Sequence, residues 1–372
     1  MDEPIPASLA PLLDRFHFER IPFETLRARL RGAQPPEALH RITASVSAPS
    51  PTCASRLPPV GSPAYDALAE EGRAAIQRGE LATVVLAGGM ATRFGSVVKG
   101  LASLELPEGP DWCFLDAKLA DIARWGACVP TALMTSFATH DEISSWLGAR
   151  GRSDVALAAQ FISLRLTAEG TLFREDDGEP SPYATGHGDL PEALHAAGLV
   201  DAWRRRGVRT VLMSNVDNIG ATIDPALYAM HRRAGGRISV ELVEKVAGDR
   251  GGLPVAVDGN LVLAEAFRLP PEFPQESFPL FNTNTLWIDL DALTPDAPWT
   301  WCVARKKVCG REAIQFERLV GELTWWHPTR WLHVPRSGPE SRFIPVKDLA
   351  ELERSAAALD AVIRARLRGS SP

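Results

Sequence analysis

The sequence predicts an α/β fold, a doubly wound mixed sheet with helical extensions at the N- and C-termini. Apolar, β-branched runs such as "TVVLA", "TALMTS", "ALAAQFISL", "TVLMSN", "ISVELVEKV" and "LFNTNTLWIDL" read as strands. They alternate with helical stretches such as "LDAKLADIARWG", "THDEISSWLGAR" and "DLPEALHAAGLVDAWRRRG". With 372 residues, 45% of them hydrophobic, the chain can bury one large core or two moderate ones.

Residues 8–31 carry apolar positions at near-helical spacing interrupted by Pro22, which predicts one or two short amphipathic helices. Residues 46–63 form a Pro/Ser-rich connector, and "AYDALAEEGRAAIQRGE" predicts a helix leading into the first core strand. The C-terminal "VKDLAELERSAAALDAVIRARLRG" is a run of good helix formers with arginines in its last turns. The expected organisation is a helical N-terminal segment with its connector over residues 1–79, a catalytic unit over 80–346 and a C-terminal helix over 347–372. No internal repeat is visible.

A net charge of −6 and a pI near 5.8 point away from nucleic acid or an anionic membrane as partner. The N-terminus begins acidic and proline-interrupted, unlike a signal peptide. No apolar run approaches ~18 residues. The cysteines Cys53, Cys113, Cys128, Cys302 and Cys309 are scattered and lack metal-type spacing. Reduced thiols in a cytoplasmic protein are the expectation.

The stretch "LATVVLAGGMATRFGSVVKG", residues 81–100, turns from buried strand to glycine and cation. Backbone amides at Gly88 and Gly89, followed by Arg93 and Lys99, resemble a phosphate cradle at a strand's carboxyl end. The spacing is neither G-x-G-x-x-G nor that of a P-loop. The same turn also occurs in α/β proteins that bind nothing there.

Several segments in one order resemble the uridylyltransferases of the UTP–glucose-1-phosphate and UDP-N-acetylhexosamine pyrophosphorylase superfamily, across residues 81–348. They are "LAGGMATRFGSVVKG", "ALMTSFATHDE", "YATGHGDLPEAL", "MSNVDNIGATIDP", "GDRGGLPVAVDGNLVLAEAFRLP", "LFNTNTLWIDLDAL", "AIQFERLVGEL" and "VPRSGPESRFIPVKDL". Three departures stand out: Ala91 in place of a glycine, Val98 in place of a proline, and four extra residues between Arg336 and Arg342. These leave the placement of both arginines open. The family's eukaryotic members usually continue into a C-terminal β-helix domain, whereas this sequence ends at Pro372, so an oligomer built through that domain is not expected. A monomer or small homo-oligomer is.

The resemblance implies a nucleotidyltransferase fold and Mg²⁺-dependent transfer of a uridylyl group from UTP to a sugar 1-phosphate, with glucose 1-phosphate foremost. It implies Leu86, Ala87, Gly88, Gly89, Lys99, Gln160 and Gly186 around the nucleotide, and His187, Asn215, Glu265, Asn282 and Asn284 around the sugar. Asp217 is implied as the metal ligand, and Lys347, Lys99 and Arg93 as the catalytic cations. Bland alternatives exist for several: an Asx turn or cap for Asp217, a surface lysine for Lys347, a solvated strand-end residue for Gln160, a core histidine for His187. The tryptophans Trp325, Trp326 and Trp331 are read as packing. A hexosamine or unusual sugar phosphate is the alternative substrate, and a non-catalytic nucleotide-sugar binding or regulatory protein the alternative class. An oxidoreductase is disfavoured by the missing dinucleotide fingerprint.

Overall fold

The structure, a computed structural model, describes residues 3–50, 52–91, 97–106, 111–275, 278–295, 297–346 and 348–368. Its centre is an eight-stranded sheet. The strands are β1 (Ser55–Arg56), β2 (Leu81–Leu86), β3 (Thr131–Thr135), β4 (Val155–Ala159), β5 (Thr210–Asn215), β6 (Ile238–Glu244), β7 (Leu280–Asp289) and β8 (Thr329–His333). Their spatial order is β1-β8-β6-β7-β5-β2-β3-β4. β7 runs antiparallel to both neighbours, and the other pairings are parallel.

The helices that flank it are α1 (Ala10–Arg15), α2 (Arg20–Leu30), α3 (Pro63–Gln77), α4 (Phe114–Ala123), α5 (His140–Ala149), α6 (Leu190–Ala196), α7 (Leu199–Arg206) and α8 (Pro225–Arg233). Every residue of β2 is buried, as a strand covered on both faces requires. Leu81 and Val85 pack with Ile76, Phe114, Ile143 and Leu227 on the α3, α4, α5 and α8 side. Ala82 and Val84 pack with Leu190, Leu194 and Trp203 on the α6 and α7 side. Alternate side chains of one strand thus feed two cores, and the sheet is wound on both faces.

Between β2 and β5 the winding reverses direction. Leu86, the last residue of β2, lies in register with Asn215, the last of β5. A crevice opens outside the carboxyl ends of strands at such a switch point.

The N-terminal break falls between α1 and α2 rather than at Pro22. Pro22 sits in the first turn of α2, where its missing N–H has no partner to lose. Both helices bury Leu13, Phe16, Phe23, Leu26 and Leu30 against Ile162, Leu164, Ile314 and Phe316.

Two expected elements are split. "ALAAQFISL" ends as a strand at Ala159, and Ile162–Leu164 pairs instead with Pro182–Ala184. The cause is tertiary: the buried Asp189 carboxylate accepts the Phe161 N–H at 2.9 Å and turns the chain. "DLPEALHAAGLVDAWRRRG" breaks into α6 and α7 at Gly198, whose φ is +69°.

Two hairpins have no counterpart in the sequence-based expectation, Gly252–Val257 with Asn260–Glu265 and Cys302–Val308 with Arg311–Glu317. β7 carries an irregularity too. Val240 faces Leu286 but Leu242 faces Asn282, so three residues of β7 oppose Glu241, with Asn284 at φ +55°. No described helix is long and apolar enough to cross a membrane.

The residues between Arg336 and Arg342 form a surface turn beside a buried Arg342. Arg342 N–H donates to Pro335 O at 2.8 Å, closing a surface turn over the inserted segment, while Arg336 pairs with Asp249. The Arg342 guanidinium is fully buried and forks onto Glu241, Nη2 to Oε1 at 2.6 Å and Nε to Oε2 at 2.9 Å. Its Nη1 donates to Thr222 O, and Trp287 Nε1 donates to Glu241 Oε1 at 2.9 Å. Removing one charge would strand the other without water. Glu241→Gln should therefore lower stability by about 3–5 kcal/mol in urea unfolding; a loss below ~1 kcal/mol would mean that the pair behaves as a solvated one.

Candidate functional site

Two adjoining cavities open at the switch point. The larger, of about 530 Å³, is lined by Leu86, Gly88, Gly89, Lys99, Gln160 and Gly186. The smaller, of about 220 Å³, is lined by Glu265, Asn282 and Asn284. His187, Asn215 and Asp217 line both. Ala87 lines neither: it is buried, and its N–H donates to Met134 O in the sheet. Arg93 and Lys347 lie outside the described residues.

Asp217 follows β5, and its Oδ2 is ion-paired with Lys99 Nζ, both side chains being less than a fifth exposed. The pair therefore spans the turn after β5 and the loop after β2, across the switch point.

Gln160 stands where the chain turns out of β4. Its backbone N–H donates to Thr135 O at 2.8 Å, and its carboxamide packs on Gly88, Oε1 lying 3.0 Å from where a Cβ would stand. A carboxamide presents a donor and an acceptor together, the pattern that an imide edge matches.

Gly186 adopts φ +103°, and a Cβ there would stand 2.6 Å from Arg318 O. That close approach brings His187 into the crevice. Its Nδ1 accepts the Val320 N–H at 3.0 Å, so the ring's proton sits on Nε2. Burial holds His187 below its ordinary pKa, and the ring is a neutral N–H donor. Asp189 anchors this turn by accepting from Phe161 N–H, Thr185 Oγ1 and Arg318 Nε.

The irregularity in β7 shapes the smaller cavity. Asn284 N–H leaves the ladder and donates to Asn282 Oδ1 at 3.0 Å, and Asn284 Nδ2 donates to Asn215 Oδ1 at 2.9 Å. Burial, with Glu317 nearby, pushes the Glu265 carboxyl up to about 7, against the pull of Arg268. Near neutral pH it exists in both forms, able to donate to a hydroxyl or to accept from one.

Further residues line the crevice that sequence reasoning did not single out. Arg165, Tyr183, Lys306, Gln315 and Glu317 wall the larger cavity, and Arg250, Phe281, Phe343 and Pro345 the smaller. Arg165 Nε donates to Gln315 Oε1 at 2.9 Å, and Gln315 Nε2 to Glu317 Oε1 at 2.6 Å. A glutamine on the buried side of the strand Arg311–Glu317 was the available signal. The tryptophans do pack: Trp331 is buried, and Trp326 meets Trp299 edge-on.

No group of three or more His, Cys, Asp or Glu side chains poised for a metal occurs among the described residues. The site suits a hard cation that keeps its waters and takes phosphate oxygens, for which one or two carboxylates suffice. Asp217 is the carboxylate that lines both cavities, and its oxygen chemistry fits Mg²⁺.

The fold is shared with solved UDP-sugar pyrophosphorylases. The structure matches a UDP-N-acetylglucosamine pyrophosphorylase from Trypanosoma brucei with a TM-score of 0.74, at 17% identity, over 96% of this chain and 85% of that one. It matches a mutant UDP-glucose pyrophosphorylase from Leishmania major with a TM-score of 0.69, at 22% identity, over 94% and 79%. At such identities the likeness is one of fold.

The chain belongs to the UTP–glucose-1-phosphate uridylyltransferase family, whose family model matches residues 54–359. Similar relatives include the UTP–glucose-1-phosphate uridylyltransferases of Solanum tuberosum, 30% identical, and Pyrus pyrifolia, 28% identical, each over 73% of this chain. The chain spans only 60% and 61% of their lengths.

Glu265 generates a pH test. Its folded pKa lies above its unfolded one, so its contribution to stability is complete below the usual carboxylate range and is lost as pH rises through about 7. Unfolding of wild type and Glu265→Gln at about pH 5 and about pH 8 should show the difference moving in the variant's favour at the higher pH; a pH-independent difference would place the carboxyl in water.

Proposed function

We propose that the chain transfers a uridylyl group from UTP to a sugar 1-phosphate, glucose 1-phosphate foremost, releasing pyrophosphate. The observation that supports this best is the Lys99–Asp217 pair at the junction of two cavities, one framed like a nucleotide pocket and the other like a hydroxyl pocket.

In this reading uracil lies against Gly88 and Gly89 with its imide edge on the Gln160 carboxamide. The sugar occupies the smaller cavity, its hydroxyls meeting Asn282, Asn284, Glu265 and the His187 Nε2–H. A phosphate oxygen of the sugar 1-phosphate forms a bond to the α-phosphorus, and the bond from that phosphorus to the oxygen bridging to the β-phosphate breaks. No proton need move, since the nucleophile is already an anion. The work is electrostatic: two polyanions must be brought together and the charge that builds on the α-phosphate offset.

Lys99 turns its ammonium from Asp217 to the triphosphate. Asp217 is the residue that would hold Mg²⁺, and the ion would supply neutralisation of phosphate charge. The family resemblance implies Lys347 for the charge on the α-phosphate and Arg93 for the leaving pyrophosphate.

The test is pyrophosphate release from a panel of nucleoside triphosphates and sugar 1-phosphates with Mg²⁺. UTP with glucose 1-phosphate should give the highest turnover; turnover only with a hexosamine 1-phosphate would reassign the sugar, and none with any pair would sink the proposal. Gln160→Ala should raise the UTP requirement roughly 2- to 12-fold, from a lost hydrogen bond of about 0.5–1.5 kcal/mol, and relax the preference for UTP. Asp217→Asn, of the same shape but uncharged, should abolish most turnover and recover part of it in excess Mg²⁺.

A further inference from the structure

A fully buried lysine outside both cavities reaches the turn that carries Asp217. Lys118, on α4, is 4% exposed. Its Nζ donates to Ser214 Oγ at 3.2 Å and to Ala221 O at 2.7 Å. Ser214 is the penultimate residue of β5, and Ala221 closes the turn beyond Gly220. One ammonium thus ties together the two ends of residues 215–220, which include Asn215 and Asp217.

The remainder of the turn is held from the opposite side. Asn218 Nδ2 donates to Arg342 O at 3.1 Å, and Asn218 Oδ1 accepts the Ile344 N–H at 3.0 Å. Asp121, one turn further along α4 from Lys118, accepts the Ile223 N–H. We propose that Lys118 is a positioning residue, which through Ser214 and Ala221 fixes the turn that presents Asp217 and Asn215 to the reacting phosphates.

The inference rests on the placement of Asp217 at the reacting phosphates given above. A buried ammonium is costly to keep where an apolar side chain would fill the space. Burial and Arg342 push Lys118 down to about 7, while Asp121, Asp217 and Glu241 pull it up. Such perturbed groups cluster at functional sites.

Lys118→Met keeps the length and removes both hydrogen bonds. Turnover at saturating substrates should fall about tenfold or more, and the Mn²⁺ concentration for half-saturation in the presence of UTP, read by electron paramagnetic resonance, should rise about tenfold. Metal-free UTP binding, carried by Gln160, Gly88 and Lys99, should stay within about twofold, a split that general loosening of the fold would not produce. Ser214→Ala, which loses one end of the tie, should move the same quantities by a smaller factor, and decides the matter if the methionine variant does not fold. Wild-type turnover and metal binding in a folded variant would overturn the inference, as would equal losses in metal-free UTP binding. Asp217→Asn run alongside separates the two ideas: full activity there fails the parent reading, whereas its collapse beside an unaffected Lys118→Met fails only this one.

Discussion

The bidentate contact between Arg342 and Glu241 is the constraint on which the crevice depends. Glu241 belongs to β6, Trp287 to β7, Thr222 to the stretch after β5, and Arg342 to the chain returning from β8. None of the four can leave without exposing a buried charge or donor to an apolar surround, and that penalty exceeds most single packing contacts. Segments more than a hundred residues apart are therefore locked into one arrangement. Asn218 extends the lock by bonding both Arg342 O and Ile344 N, and Pro345 bridges to Asn218 beside the smaller cavity. The residues between Arg336 and Arg342 lie in a surface turn closed by the 2.8 Å contact between Arg342 N and Pro335 O, and the guanidinium beyond it is buried.

Around that lock the crevice is assembled by breaking regular structure at chosen places. The chain leaves β4 at Gln160 because Asp189 captures the next N–H. β7 loses its even register at Asn284, whose N–H turns from the ladder to Asn282. His187 enters on a glycine at positive φ packed on the Arg318 carbonyl. Each departure costs local hydrogen bonding or strain, and each puts a polar side chain where a regular strand would have kept backbone groups paired. Rule-breaking at the site and rule-keeping in the core is the usual division in folded proteins.

That division decides what could be read from the sequence. The core strands were legible because their burial on both faces leaves an unbroken apolar run, as in "TVVLA" and "TVLMSN". Motif order pointed to Gly88, Gln160, His187, Asn215, Asp217 and Glu265, which do meet at the crevice. Ala87, between residues of the motif that line the cavity, is turned into the core by strand alternation. The break at Gln160 was illegible because its cause, Asp189, is distant in sequence, and the one at Asn284 because it is a register shift against β6, a separate strand. The hairpin turns were a different failure. Asp258-Gly259 and Cys309-Gly310 both adopt positive φ at two successive residues, and Asp-Gly is a strong hairpin signal, so the first was present to be read. Arg165 was hidden because its contact is with Gln315, 150 positions away.

Several charges of the crevice are already paired among the described residues. Lys99 is held by Asp217 and Lys306 by Glu317, while Arg165 reaches the same carboxylate through Gln315. Such pairing offsets part of the desolvation cost of partly buried ammonium and guanidinium groups. It also means that an incoming polyanion does not simply add to a positive surface. A phosphate that draws Lys99 away leaves Asp217 as an uncompensated carboxylate inside a crevice, where a second cation is favoured over none. On the proposed function, phosphate and metal uptake would be coupled by exchange of partners at one lysine and one aspartate. The contact across the switch point, between the loop after β2 and the turn after β5, would on that reading add to the direct attraction between phosphates and cation.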